Sequence, residues 1–216
     1  MFFGYHGHLL TFPVEKGETL NGKPLSVLVK LLLGPTRIVV AFNSRETWDN
    51  PAWVVTTSKE EMEIDYIHWG PTVKTIISAM QKPDIWALFN HLPASSFFKN
   101  RVCLLGDAAH ATTPHQGAGA GMCIEDSLIL SILMKEANSV EDLKTVFKVY
   151  DDVRRPRTLK NVETSREAGR LYDFELEGDN LDKIEQNFSK RMRWIWDVDL
   201  QKEIEMARGM YFQQRS

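Results

Sequence analysis

The stretch 101–121 constrains this chain more than any other. Val102, Cys103, Leu104 and Leu105 form a continuous apolar run, the pattern of a strand covered on both faces. The run stops at Gly106-Asp107. A loop of small residues holding Pro114 follows over 108–117, and then a glycine-rich helix start with Gly117, Gly119 and Gly121. Glycines there remove side chains and leave backbone N–H groups open at the positive end of a helix. Asp107 stands at the carboxyl edge of the strand, where open α/β sheets accept hydrogen bonds from ligand hydroxyls. Such a chain belongs to the α/β class, with strand, loop and helix converging on something that approaches the backbone closely.

Strands dominate the reading before this point. His8 to Pro13 is a short apolar run ending at proline, and residues 14–18 read as a turn around Gly17. Arg37 to Phe42 is β-branched and apolar, a buried strand. Residues 47–51 read as a loop. Ser58 and Glu61 form a capping box at a helix start. Val73, Ile76, Ile77 and Met80 recur at helical spacing behind Pro71, and strand character returns at 85–89.

Helices dominate after it. Residues 119–134 predict a deeply buried helix with Ala120, Cys123, Ile124, Ser127, Leu128 and Ile132 along one stripe. Ser139 predicts the next helix cap, with Asp142 closing a box. Leu143, Val146, Phe147, Tyr150 and Val153 form that helix's apolar stripe, and Pro156 should kink or break it. A further helix is expected over 159–171, and a helical tail over 181–213 with an aromatic cluster of Trp194, Trp196 and Phe212.

Composition removes several classes of function. The 216 residues hold 26 Lys and Arg against 29 Asp and Glu, a net charge of −3. That balance argues against a nucleic-acid binder that works by neutralising phosphates. Two cysteines, Cys103 and Cys123, build neither a disulfide framework nor a zinc knuckle; both read as buried free thiols. His8 and His68 are scattered and suggest no metal site. The start lacks the basic and apolar regions of a signal peptide. The longest apolar stretch, 25–33, is broken by Ser26 and Lys30 and falls short of the roughly 20 residues of a membrane span. A soluble cytoplasmic protein is expected.

Residues 101–126 resemble the second FAD-binding motif of the group A flavoprotein monooxygenases, within them the salicylate hydroxylase-like enzymes that include fungal ones of secondary metabolism. The match runs through Gly106-Asp107-Ala108-Ala109-His110, Pro114, Gly117, Gly119 and Glu125-Asp126. Arg154-Arg155-Pro156-Arg157, Ser165 to Gly169, Trp194 to Asp197 and, upstream, Gly7 to Val14 are similar to further family segments. The resemblance implies an FAD-linked monooxygenase fold that reduces FAD with NAD(P)H and uses O2 to hydroxylate an aromatic or other electron-rich small molecule, polyketide- or terpenoid-like substrates included. It implies that Asp107 binds the ribityl or pyrophosphate-proximal part of FAD. Gly117, Ala118, Gly119 and Ala120 would present amides to the pyrimidine edge of the flavin, and Pro114 would line its substrate side. No catalytic residue is assigned.

The chain also departs from that pattern. It carries neither the GxGxxG βαβ unit nor the middle DG motif of the family. The resemblance therefore implies a C-terminal portion of the fold that begins partway into the substrate domain. Residues 1–100 would be a partial substrate-domain sheet, 101–170 the FAD-contacting segment and 171–216 a helical tail. Residues 22–37 interrupt a family strand. Translated intron sequence and a genuine extra strand or loop are the two readings. Beside a truncated monooxygenase stand two alternatives, a non-catalytic interaction protein without flavin and a cofactor-free isomerase or cyclase reusing the pocket.

Single residues add detail. His110, inside a tight loop, reads as a structural hydrogen-bonding group rather than a base. His115, beside Pro114, is a candidate for facing the substrate pocket. Arg154, Arg155 and Arg157 read as structural salt-bridge partners more than as phosphate or carboxylate binders. Glu125 and Asp126, adjacent on a helix, point apart and suit a structural role.

Overall fold

A computed structural model describes residues 5–13, 29–33, 36–44, 50–68, 70–78, 84–91, 94–178 and 180–215. The chain divides into two compact units, 3–89 and 90–216. In the first, β1 (Tyr5–Pro13), β2 (Val29–Leu33), β3 (Thr36–Ser44), β4 (Val54–Thr56) and β5 (Asp84–Leu88) form an antiparallel sheet in the order β2-β3-β1-β5-β4. The register sets Leu9 opposite Val40 and Tyr5 opposite Leu88. The expected turn at 14–18 lies outside the described residues. Of the 22–37 stretch, residues 29–33 form β2, paired with β3 from Val29–Val40 to Leu33–Thr36; residues 22–28 and 34–35 lie outside the description.

Two short helices, α1 (Lys59–Asp65) and α2 (Pro71–Ser78), stand between β4 and β5. The capping box forms as the sequence predicts. The Glu61 N–H donates to Ser58 Oγ at 3.1 Å, and the Ser58 N–H donates back to Glu61 Oε2 at 3.4 Å. Such a cap stabilises a helix by about 1 kcal/mol.

The second unit is helical. A two-stranded ribbon of β6 (Phe98–Lys99) and β7 (Val102–Cys103) leads into the one-turn helix α3 (Asp107–His110), a 3-10 turn at Pro114–Gln116 and α4 (Gly119–Glu136). Then come α5 (Leu143–Tyr172), α6 (Leu181–Arg191), α7 (Arg193–Trp196) and α8 (Leu200–Arg215). The core lies among α4, α5 and α8, where Ile129, Leu133, Val146, Phe147, Tyr150, Ala207 and Tyr211 pack together with Phe97. The expected stripe of α5 is therefore the observed one.

Five expectations are corrected here. The 101–106 run is not covered on both faces: strand pairing spans only Val102–Cys103, and Val102 is 66% exposed. Only Cys103 and Leu104 turn toward the core. The buried face of α4 is Met122, Asp126, Ile129 and Leu133, while Ile124 is 70% exposed; a helix apolar nearly all round gives no stripe to read. Asp142, not Ser139, is the N-cap of α5, and its Oδ2 accepts the N–H groups of Asn138 and Ser139 at 2.8 and 3.1 Å. Pro156 does not end its helix. Residues 143–172 form one helix through it, because the buried face and flanking ion pairs outweigh a lost backbone hydrogen bond and ring clash of about 3 kcal/mol. Finally, Trp196 is 70% exposed rather than packed, and Phe212 meets Tyr211 edge-on at 5.4 Å. Trp194 instead lies under Lys160 and Arg157, 4.5 and 5.4 Å from its ring centre.

Candidate functional site

The site is built on the path from β7 to α4. Gly106 opens α3 at φ 62°, ψ −138°, a backbone region that is essentially glycine-only. A Cβ there would also stand 2.9 Å from Cys123 Sγ. This bend turns Asp107 outward. The Asp107 carboxylate is exposed, and its Oδ1 lies 4.0 Å from Cys123 Sγ, alongside the first turns of α4. Cys103 and Cys123 are both free and half-buried rather than buried. Burial pushes the Cys103 thiol up to about 11, which keeps it protonated.

At the other end of the loop, Gly117 takes the left-handed conformation (φ 63°) and its N–H donates to the Pro114 carbonyl at 3.0 Å. Ala118 is the N-cap of α4. It supplies no side-chain cap, and no acidic residue stands in the first turn. The first intrahelical bond runs from the Met122 N–H to the Ala118 carbonyl at 3.0 Å. The preceding N–H groups therefore point out of an open, positive helix end. Gly119 packs close to Thr112, but a Cβ on Gly121 would meet nothing within 4 Å. Packing against the described residues does not require that glycine, and the space over it is open. An uncapped helix start suits an electron-rich carbonyl edge, and an exposed carboxylate beside it suits hydroxyl groups. The donor set thus fits the pyrimidine and ribityl parts of a flavin. Pro114 is exposed at the first position of the 3-10 turn.

A buried ionic cluster fixes α3 against α4 and α5. Asp126 is fully buried, and its Oδ2 accepts from His110 Nε2 at 2.5 Å and from the Gly106 N–H at 3.3 Å. Its Oδ1 accepts from Arg154 Nε at 2.8 Å. Burial pushes the Asp126 carboxyl up, but the bonds from His110 and Arg154 outweigh it and hold the group below the usual carboxylate range. Arg154 also donates to Glu125 at 2.7 Å and to Glu203 at 3.0 Å. Arg157 grips Glu125 with two bonds, at 2.7 and 2.8 Å, and donates to the carbonyls of Trp194 and Ile195. The structural readings of His110, Arg154, Arg157, Glu125 and Asp126 thus agree with the geometry. Adjacent carboxylates diverge, yet one guanidinium fork reaches both. Glu203, in the tail, carried no signal in sequence.

His115 is buried rather than open to solvent, within the turn itself. Ser165 Oγ donates to the Thr113 carbonyl at 2.5 Å, and Thr113 Oγ1 donates to Ser165 Oγ at 3.2 Å. With the Thr113 proton so used, its hydroxyl accepts from His115 Nδ1–H at 2.9 Å. Burial pushes the His115 pKa down to about 4, so the ring is neutral at pH 7. Gly169 allows this close packing: a Cβ there would stand 2.7 Å from His115 Cε1.

Comparison with known proteins supplies the family. A ribbon running into a one-turn helix and an open glycine-rich helix start is the local frame of the site. The FAD binding domain family matches residues 35–165, more than half of the chain, and the chain belongs to that family. It resembles FAD-dependent monooxygenases. The 6-methylsalicylate 1-monooxygenase of Aspergillus terreus is 35% identical over 206 residues, which cover 94% of this chain and 42% of that protein. A salicylate hydroxylase of Pseudomonas putida is 35% identical over 218 residues, 97% of this chain and 46% of that protein. A solved salicylate hydroxylase substrate complex superposes with a TM-score of 0.75 at 36% identity, covering 93% of this chain and 47% of that one. The fold is thus the α/β fold of FAD-linked monooxygenases, in part. The chain spans a little under half the length of these relatives. Among the described residues, no helix is long and apolar enough to cross a membrane, and no group of three or more His, Cys, Asp or Glu is placed to hold a metal ion.

Proposed function

We propose that this chain forms the flavin-facing part of an FAD- and NAD(P)H-dependent monooxygenase that hydroxylates a small aromatic molecule of the salicylate kind. One observation carries the reading. In a chain of this family, the uncapped start of α4 opens beside the exposed Asp107 carboxylate, with open space over Gly121. The names of the relatives, 6-methylsalicylate 1-monooxygenase and salicylate hydroxylase, support the substrate class.

Bound FAD would supply reduction by NAD(P)H and activation of O2. The residues of the chain would do the rest. Asp107 accepts hydrogen bonds from ribityl hydroxyls. The N–H groups of Ala118, Gly119 and Ala120 face the pyrimidine edge, where the helix end stabilises negative charge as the ring is reduced; that of Gly117 is taken by the Pro114 carbonyl, so Gly117 serves through its left-handed turn. Pro114 bounds the substrate side.

A single substitution separates binding from folding. Gly121→Glu replaces a helical glycine and puts an acid in the first turn of α4, two changes that together stabilise the helix by about 1 kcal/mol. The same carboxylate takes up the open amides and repels an electron-rich ring edge. The expected result is a urea midpoint at or above that of the parent, with FAD binding weakened at least tenfold. The reaction itself is tested by salicylate-dependent NAD(P)H oxidation after loading with FAD. Oxidation that ignores every aromatic acid offered would count against the substrate class.

A further inference from the structure

The turn that presents α4 is held from two sides. Asp126 and Arg154 hold the α3 side. The other side is held by residues that lie beyond the family match at 35–165, on the last turn of α5 and on α6. Tyr172 Oη donates to the His115 carbonyl at 2.9 Å, and its ring meets the His115 ring edge-on at 6.2 Å. Phe188 of α6 stacks on Tyr172 with centroids 5.1 Å apart and planes 20° apart.

A second line of contacts runs beside this one. Arg191, at the end of α6, donates to the Thr164 carbonyl at 2.9 Å and to Asn187 Oδ1 at 2.8 Å. The Thr164 hydroxyl lies 2.9 Å from Gln116 Oε1. The Arg191 side chain is 9% exposed, and its carboxylate contact, Glu167, is 4.0 Å away and half-exposed. Helix α6 contributes no buried residue of its own. It returns alongside α5 through left-handed residues at Phe174 and Gly178. Its seat is therefore these contacts rather than an apolar core, and both lines end on the 115–116 backbone and side chains.

We propose that Tyr172 and Arg191 are positioning residues for the Thr113–Gly117 turn, and that α6 is the brace that holds the N-terminus of α4 in its ligand-accepting orientation. The proposal rests on the flavin reading for its purpose but not for its geometry. Each side chain acts through backbone or through Gln116.

The test uses the full chain and needs no cofactor for its first readout. Hydrogen exchange is followed by NMR at two amides, that of Gly117, bonded to Pro114, and that of Met122, bonded to Ala118. In Tyr172→Phe and Arg191→Met, both amides are expected to exchange at least tenfold faster than in the parent, with core amides of α5 near Val149 unchanged. Arg191→Lys should restore part of the protection. A uniform rise across α4 and α5 would mark a general loss of stability and overturn the proposal, as would rates within twofold of the parent in both variants. The second readout is FAD affinity, expected to fall at least fivefold in Tyr172→Phe, with a shifted visible band for the flavin that remains bound. A parent that binds no FAD overturns the flavin reading, while the exchange rates still decide the positioning role.

Discussion

Replacing Arg154 with alanine is expected to lower the stability of the 90–216 unit by about 3–5 kcal/mol, because it strips the cation from a buried cluster. Asp126 is fully buried and Glu125 is nearly so. Without Arg154, Asp126 keeps the His110 and Gly106 bonds but loses the charge that opposes it. Arg154→Lys should recover only part of the loss, since a point charge does not reproduce a fork that reaches Asp126, Glu125 and Glu203 together. Glu203→Gln, at the more exposed end of the cluster, should cost about 1 kcal/mol. Urea titrations at pH 7 give the ranking, and a result in which the Arg154 and Glu203 variants lose similar stability would remove the cluster from its central place.

The second large effect is acid sensitivity centred on His115. Its folded pKa is about 4 against an ordinary value of 6.5. Between those values the unfolded chain takes up a proton that the native one refuses. Stability is thus fully present above pH 6.5 and is lost as pH falls toward 4, by about 3 kcal/mol at most. Asp173 works in the opposite direction. Burial pushes its carboxyl up to about 6, so its contribution to stability is lost as pH rises from its ordinary range to 6; partial exposure makes this a smaller counterweight. The Asp126 and Glu125 carboxyls are held low, and their stabilisation is lost only at still lower pH. His115→Asn retains an N–H for Thr113 and removes the titration. Its urea midpoint should be nearly flat from pH 6.5 to 4.5, where that of the parent falls. Parallel curves would show that another group sets the acid limit.

These effects also show what the sequence makes legible. Local signals translate directly. Ser58 and Glu61 cap α1 because the box is complete within four residues, and the 5–13, 36–44 and 84–88 strands fall on short apolar runs, with β-branched residues concentrated in 36–44. The loop from Gly106 to Gly121 is legible because its glycines serve backbone geometry, which depends on few neighbours. Long-range packing is not legible in the same way. The inward face of α4 is chosen by α5 and α8, and an apolar-all-round helix does not announce that choice. Pro156 obeys a local rule that tertiary contacts override. Glu203 and Tyr172 act 49 residues from Arg154 and 57 from His115 along the chain, distances at which no spacing rule reaches.

The central claim is that Asp107 and the start of α4 hold flavin, and the most direct measurement is an FAD titration of the full chain beside Asp107→Ala, read by flavin absorbance and fluorescence. Asp107 is exposed and its carboxylate makes one weak contact, with Cys123 at 4.0 Å, so the variant should fold with an unchanged urea midpoint. The account requires saturable binding by the parent and binding at least tenfold weaker in the variant. No saturable binding, or equal affinity in both proteins, would contradict it and return the chain to the readings that need no flavin.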